Sequence, residues 1–198
     1  MAGALTAIVQ ISQLPNVITT IRILLVVPTA WLLLEDRYVD ALVLMSIAGA
    51  SDALDGWMAR QFGWTSRFGA AMDPVADKLL VAAMFIAFTV QGHIPIWVAA
   101  IAVGRDAVIL SGAGLYRLLF EQIEFAPTFI SKANTAMQIV MLLLLLVELC
   151  EFPFLSTTAG QLVDPYCFYI LAVLGIGSGL DYVFTWGRRA WHNRRRSA

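Results

Sequence analysis

Six runs of predominantly apolar residues, each close to the thickness of a bilayer's hydrocarbon core, leave this chain few ways to fold. They lie at about Val17 to Leu34, Ala41 to Arg60, Phe68 to Val90, Ile94 to Leu119, Phe129 to Leu149 and Tyr166 to Trp186. A helix needs roughly 17 to 25 such residues to cross the core. Because no water is present there, the backbone must satisfy its own N–H and C=O groups. The runs predict an all-α integral membrane protein with six transmembrane helices, forming one domain over residues 1–198. Composition agrees: of 198 residues, 60% are hydrophobic and 14% charged, and the mean hydropathy of +0.77 lies outside the range of an ordinary soluble domain.

The flanks of the runs set the expected orientation. Arg60, Arg67, Arg117 and Lys132 fall on one side, together with Arg188, Arg189, Arg194, Arg195 and Arg196 of a basic tail at 187–198. On the other side Arg37 stands beside Glu35, Asp36 and Asp40. Basic residues concentrate in cytoplasmic loops, so both termini are expected in the cytoplasm. The tail reads as a stop-transfer anchor that also attracts anionic headgroups. Residues 1–14 carry no basic segment and apolar core of the kind that marks a cleaved leader. Leu5, Ile8, Val9, Ile11 and Leu14 suit either a short amphipathic segment on the membrane surface or a frayed end. With no long N-terminal extension, the sequence points to a bacterial inner membrane rather than a mitochondrial precursor. A net charge of -1 leaves no basic footprint for nucleic acid. Cys150 and Cys167 fall near the outer ends of the last two runs, as small buried hydrophobes or as a disulfide pair.

Against this background the stretch SDALDGWMARQFGWTSRFGAAMDPVADKLL, residues 51–80, is anomalous. An ionised Asp at the bilayer centre costs about 2.5 to 3.5 kcal/mol on insertion scales, and here there are four. Asp52 and Asp55 are spaced i, i+3 and Asp73 and Asp77 i, i+4, so each pair shares a helix face. A short loop makes the two helices antiparallel neighbours. At 1.5 Å per residue, Asp55 lies about 7 Å from Arg60 and Asp73 about 6 Å from Gly69, which sets both pairs at a similar depth. Four converging carboxylates repel one another unless cations or protons intervene, and Arg60, Arg67 and Lys78 are too few to neutralise them. A pair of divalent ions is the natural solution, and an all-oxygen shell favours Mg²⁺, Mn²⁺ or Ca²⁺ over zinc. Gly56, Ala59, Gly69 and Ala70 admit either close helix packing or a bulky ligand.

The spacing D-x2-D-G-x2-A-R-x8-G-x3-D-x3-D, carried by Asp52, Asp55, Gly56, Ala59, Arg60, Gly69, Asp73 and Asp77, resembles without departure the signature of the CDP-alcohol phosphatidyltransferases, membrane enzymes of phospholipid synthesis. The resemblance implies that Asp52, Asp55, Asp73 and Asp77 ligate two divalent ions, Mg²⁺ or Mn²⁺, with Ca²⁺ as an inhibitory alternative. It makes Asp77 the general base as well. Gly56, Ala59, Arg60 and Gly69 would receive the CDP part of CDP-diacylglycerol, and the enzyme would be a homodimer.

Three further segments bear on the acceptor alcohol. In LPNVITTIRILLVVP, Asn16, Thr19 and Arg22 recur every three residues. Asn16 could be an N-cap, but similar segments open phosphatidylglycerophosphate synthases and CMP-forming cardiolipin synthases. In VGRDAVILSG, Arg105 and Asp106 point about 100° apart on a helix and need not pair with each other, so Arg105 is read either as a contact to a lipid phosphate or as part of a structural ion pair with other helices. The third segment, APTFISKANTAMQIV, resembles the P-T-F-I-S-K-x-N-T-A-x-Q of eukaryotic-type cardiolipin synthases, where glycerophosphate synthases carry a second lysine in place of Asn134. One fewer cation suits the monoanionic diester of phosphatidylglycerol over dianionic glycerol 3-phosphate. Lys132 is read as a phosphate contact or a snorkelling anchor. The expected reaction is therefore phosphatidyl transfer to phosphatidylglycerol, with glycerol 3-phosphate as the alternative acceptor. A cation transporter is the remote alternative, because the acids gather at one depth and the outer halves of the runs carry no matching polar residues.

Overall fold

The computed structural model describes the backbone of residues 14–62, 67–119 and 128–196. Side chains are described within these ranges except at 14–19, 22, 51–60, 62, 67–74, 113, 115–119 and 186–196. Among the described residues the chain is all helical, in the order α1 (Leu14–Leu34), α2 (Tyr38–Phe62), α3 (Arg67–Val90), α4 (Ile96–Leu119), α5 (Phe129–Leu149), α6 (Leu155–Leu162), a π-turn (Val163–Cys167) and α7 (Phe168–Arg196). Each of the six apolar runs is matched by one long helix. The expected surface segment at 1–14 lies outside the described residues but for Leu14. Among the described residues two helices are long and apolar enough to cross a bilayer, Phe129–Leu149 and the kinked Leu155–Thr185. Only 33% of the apolar window of each is buried within the protein, whereas the core helix of a soluble domain is mostly buried.

The helices form two compact units, Met1–Gln91 and Gly92–Ala198. In the first, α1 packs against both α2 and α3. Its buried positions include Leu33, Ala41, Ala76, Met84, Phe85 and Phe88. The outward face of α1 is apolar as well, with Ile21, Leu24, Val27, Trp31 and Leu34 exposed at intervals of three and four residues. A helix apolar on both its buried and exposed faces belongs in hydrocarbon or under a partner. Pro28 inside α1 removes one backbone donor.

The turn between α1 and α2 is a Schellman-type stop. Arg37 N–H donates to the Leu32 carbonyl at 2.9 Å and Asp36 N–H to the Leu33 carbonyl at 3.0 Å, with Asp36 in the left-handed region at φ 59. A non-glycine residue there is held by its side-chain bonds. Tyr38 OH donates to Asp36 Oδ1 at 2.7 Å, and Gln91 Nε2, just past α3, donates to Asp36 Oδ1 at 2.7 Å and to the Leu33 carbonyl at 2.8 Å. Gln91 thus clasps the α1–α2 turn onto the end of α3. Burial, followed by the hydrogen bond to Asp36 and its negative charge, pushes the Tyr38 phenol up to about 12 against a smaller lowering by Gln91.

In the second unit α7 packs against α4 and α5, and α6 folds back on α5. Thr128 caps α5, its Oγ1 accepting from Ser131 N–H at 3.3 Å. Gly175 on α7 is required by close approach, since a Cβ there would lie 2.8 Å from Ile101 Cγ2. Asp164, at φ -109 and ψ 119, breaks helical geometry between α6 and α7. Two details differ from the sequence expectation. The eight-residue helix α6 was not anticipated, because LSTTAGQL carries no apolar periodicity long enough to signal it. Helix α7 also continues through most of the basic tail to Arg196 rather than stopping at Trp186. Cys150 and Cys167 are both free thiols.

Two outcomes follow from the clasp. Gln91→Ala removes the bonds to the Leu33 carbonyl, the Asp36 carboxylate and the Tyr38 hydroxyl and should destabilise the protein by about 1 to 3 kcal/mol, read as an earlier thermal transition in detergent. The raised Tyr38 pKa adds stability that is complete below the unfolded phenol's pKa of about 10 and is lost as pH rises through the folded value near 12. Tyr38→Phe should therefore flatten the fall in stability between those limits.

Candidate functional site

The signature aspartates fall where helical spacing places them. Asp52 and Asp55 are within α2, Asp73 and Asp77 within α3, and the two helices are separated by residues 63–66. Helical backbone through both segments sets each pair on one face, with rises of about 4.5 and 6 Å between members. Pro74, immediately after Asp73, offers no N–H to the carbonyl four residues back, an oxygen that the sequence reading overlooked. The side chains of Asp52, Asp55, Asp73, Gly56, Ala59, Arg60 and Gly69 lie outside the described residues, as do those of Asn16 and Thr19. Asp77 is described, and its side chain is exposed. Among the described residues no three His, Cys, Asp or Glu converge as a metal site, and three of the four signature carboxylates are not in that set. The donor chemistry of the four, oxygen only, fits Mg²⁺ or Mn²⁺.

The second unit holds a buried polar layer where α4, α5 and α7 meet. Arg105 on α4 is 7% exposed and Asp106 likewise 7%. Although neighbours on a helix diverge, the long guanidinium stem folds back and Nη1 reaches Asp106 Oδ1 at 2.6 Å. Nε donates to Ser178 Oγ on α7 at 3.1 Å, and Nη2 donates to Ser131 Oγ on α5 and to Ser178 Oγ, each at 2.5 Å. Every nitrogen of Arg105 therefore has a protein acceptor. A charge this deep is tolerable only when paired and hydrogen-bonded, and Asp106 with two serines meets that condition.

Farther along the same face of α5, Asn134 and Gln138 are wholly buried. Gln138 Nε2 donates weakly to the Ala102 carbonyl at 3.4 Å, while neither amide atom of Asn134 has a protein partner. Lys132, two residues before Asn134, is exposed, because two positions are about 200° apart on a helix. The two residues expected to read the acceptor thus occupy different faces of α5. Ser131 and Gln138 stand in the APTFISKANTAMQIV motif but carried no assigned role, and Ser178 on α7 had no sequence signal. The i, i+3, i+7 spacing of Ser131, Asn134 and Gln138 in SKANTAMQ was the available signal.

Comparison with known proteins agrees with the sequence signature. The CDP-alcohol phosphatidyltransferase profile matches residues 12–177, which takes in α2, α3 and, of the buried polar layer, Arg105, Asp106 and Ser131. The chain belongs to the CDP-alcohol phosphatidyltransferase family. It is 33% identical over 188 residues to a cardiolipin synthase (CMP-forming)/mitochondrial hydrolase fusion protein of Schizosaccharomyces pombe, covering 87% of this chain and 31% of that one. It is 32% identical over 144 residues to cardiolipin synthase (CMP-forming) of Rattus norvegicus, covering 65% of this chain and 48% of the relative. A CDP-diacylglycerol--glycerol-3-phosphate 3-phosphatidyltransferase of Pseudomonas fluorescens is 32% identical over 196 residues, 90% of each chain. The match thus spans about a third of the yeast protein and half of the rat one. Relatives of both acceptor classes are present.

Removing Asp106 leaves the Arg105 charge buried without its counterion. Asp106→Ala should cost about 3 to 5 kcal/mol, seen as loss of folded protein on mild heating. Ser178→Ala should cost only about 1 to 3 kcal/mol, because Ser131 and Asp106 remain.

Proposed function

We propose that this protein transfers a phosphatidyl group from CDP-diacylglycerol to phosphatidylglycerol, giving cardiolipin and CMP. The observation that carries the reading is the eight-position signature, lying on two helices consecutive in the chain. The acceptor hydroxyl oxygen forms a bond to the diacylglycerol-bearing phosphorus, the bond from that phosphorus to the CMP oxygen breaks, and the hydroxyl proton passes to the Asp77 carboxylate. Asp52, Asp55, Asp73 and Asp77 hold two divalent ions. When bound, these supply neutralising charge and polarisation at the pyrophosphate. Gly56, Ala59 and Gly69 leave room beside the carboxylates for the CDP moiety, and Arg60 offers it a cation.

For the acceptor, the buried layer divides two roles that the sequence had left together. Arg105 is committed to Asp106, Ser131 and Ser178, so it acts as a positioning residue that fixes the start of α5. Of the two cations read toward the acceptor, Lys132, exposed in the first turn of α5, is the one placed to meet a phosphate. Asn134 in place of a second lysine keeps the charge suited to a diester. The end-to-end match to the Pseudomonas relative favours the second reading, glycerol 3-phosphate as acceptor, with the same donor and the same carboxylates. The enzyme would lie in a bacterial inner membrane as a homodimer with six crossings, with both termini and the site on the cytoplasmic side. Asn16 and Thr19 at the start of α1 would lie near that site.

Asp77→Asn keeps size and polarity but cannot take up the proton. The purified variant should retain its helical content and thermal transition while CMP release falls to background. Turnover at the unsubstituted rate would sink the assignment of the base. Chelation with EDTA should likewise stop CMP release, and Mg²⁺ or Mn²⁺ should restore it.

A further inference from the structure

At one end of the second unit the chain presents large aromatic side chains outward with nothing from the protein over them. Phe154, in the turn between α5 and α6, is 93% exposed and sits in the left-handed region at φ 65. A bulky aromatic rarely adopts that conformation, and residues so held concentrate where strain serves a function. Glu151 in the same turn is also left-handed, at φ 54, where it ends α5 with its N–H on the Glu148 carbonyl at 3.1 Å. Phe152 beside it, Tyr166 in the π-turn, Tyr169 at the start of α7 and Trp97 at the start of α4 are exposed too. Trp97 and Tyr169 lie together, with ring centroids 6.1 Å apart, so these residues share one end of the unit.

We propose that this aromatic cluster anchors the α5–α6 turn in the headgroup–acyl boundary of a phospholipid bilayer. The argument for lipid as the occupant is continuity. Phe154 follows within a few residues of Leu149, where one helix able to cross a bilayer ends, and α6 opens the other. Tyr and Trp pair an apolar body with a polar tip and accumulate at that depth. Helix α6 is sided to match, with Leu155 and Leu162 exposed on one face, Thr157 about 140 to 160° around the helix from them and Gln161 about 100 to 120°. No Lys or Arg occurs in 91–97 or 148–169, where the titratable side chains besides tyrosine and cysteine are His93, Glu148, Glu151 and Asp164. Attachment therefore comes from apolar insertion rather than attraction to anionic headgroups.

The inference rests on the membrane embedding proposed above, and its test separates the two. In the full chain with Cys150→Ser and Cys167→Ala, a nitroxide is placed at Phe154→Cys, and in parallel at Gln161→Cys and at Ile139→Cys midway along α5. Each protein is reconstituted into phosphatidylcholine vesicles, and its collision rates with oxygen and with a water-soluble nickel chelate are compared. The expected result at 154 is oxygen above nickel, shallower than at 139, with the order reversed at 161. Adding phosphatidylglycerol to the vesicles should not deepen it. Nickel access at 154 equal to that at 161 would overturn the anchor while leaving the embedding intact. A label at 154 closed to both reagents would overturn it in favour of a protein partner. Nickel dominance at 139 would overturn embedding and anchor together. Should Phe154→Cys not reconstitute, Tyr166→Cys is read against the same outcomes.

Discussion

Charge inside an apolar helical protein must be compensated where it stands, and that constraint organises both units of this one. In the second unit the compensation is internal: Asp106 and the hydroxyls of Ser131 and Ser178 occupy the Arg105 guanidinium, tying α4, α5 and α7 at one level. In the first unit the four signature carboxylates of residues 51–80 stand on α2 and α3, and the lysine and arginines of that stretch are too few to match them. The two cases differ in what they require. A pair closed within the protein is a structural fixture, whereas a surplus of carboxylate calls for protons or cations from outside.

The same constraint explains how much could be read from sequence. The six long helices follow from apolar runs because hydrocarbon-length segments have no alternative to internal hydrogen bonding. Helix α6 did not, since it is short and its stability comes from packing on α5 rather than from its own pattern. The end of α7 was misjudged because apolarity stops near Trp186 while arginines remain good helix formers. The placement of the aspartates on two helices was legible, because fixed helical geometry turns i, i+3 and i, i+4 into shared faces, while the side chains of Asp52, Asp55 and Asp73 lie outside the described residues.

The Arg105–Asp106 contact was less legible. Side-chain pairing rules address residues three and four apart, and a long guanidinium can reach its neighbour in ways that Cα–Cβ directions do not suggest. Equally, SKAN reads as one recognition motif in sequence, yet a two-residue step separates exposed Lys132 from buried Asn134. One motif in sequence thus becomes an outward-facing cation and a buried amide on different faces of α5.

The central claim is a transfer reaction with a particular acceptor. The most direct measurement is CMP release by the purified protein with CDP-diacylglycerol and Mg²⁺ or Mn²⁺, with phosphatidylglycerol and glycerol 3-phosphate offered separately and the lipid product identified. The account predicts cardiolipin, formed with phosphatidylglycerol alone. Product formed with glycerol 3-phosphate alone would contradict the acceptor assignment, and no CMP with either would contradict the reaction itself.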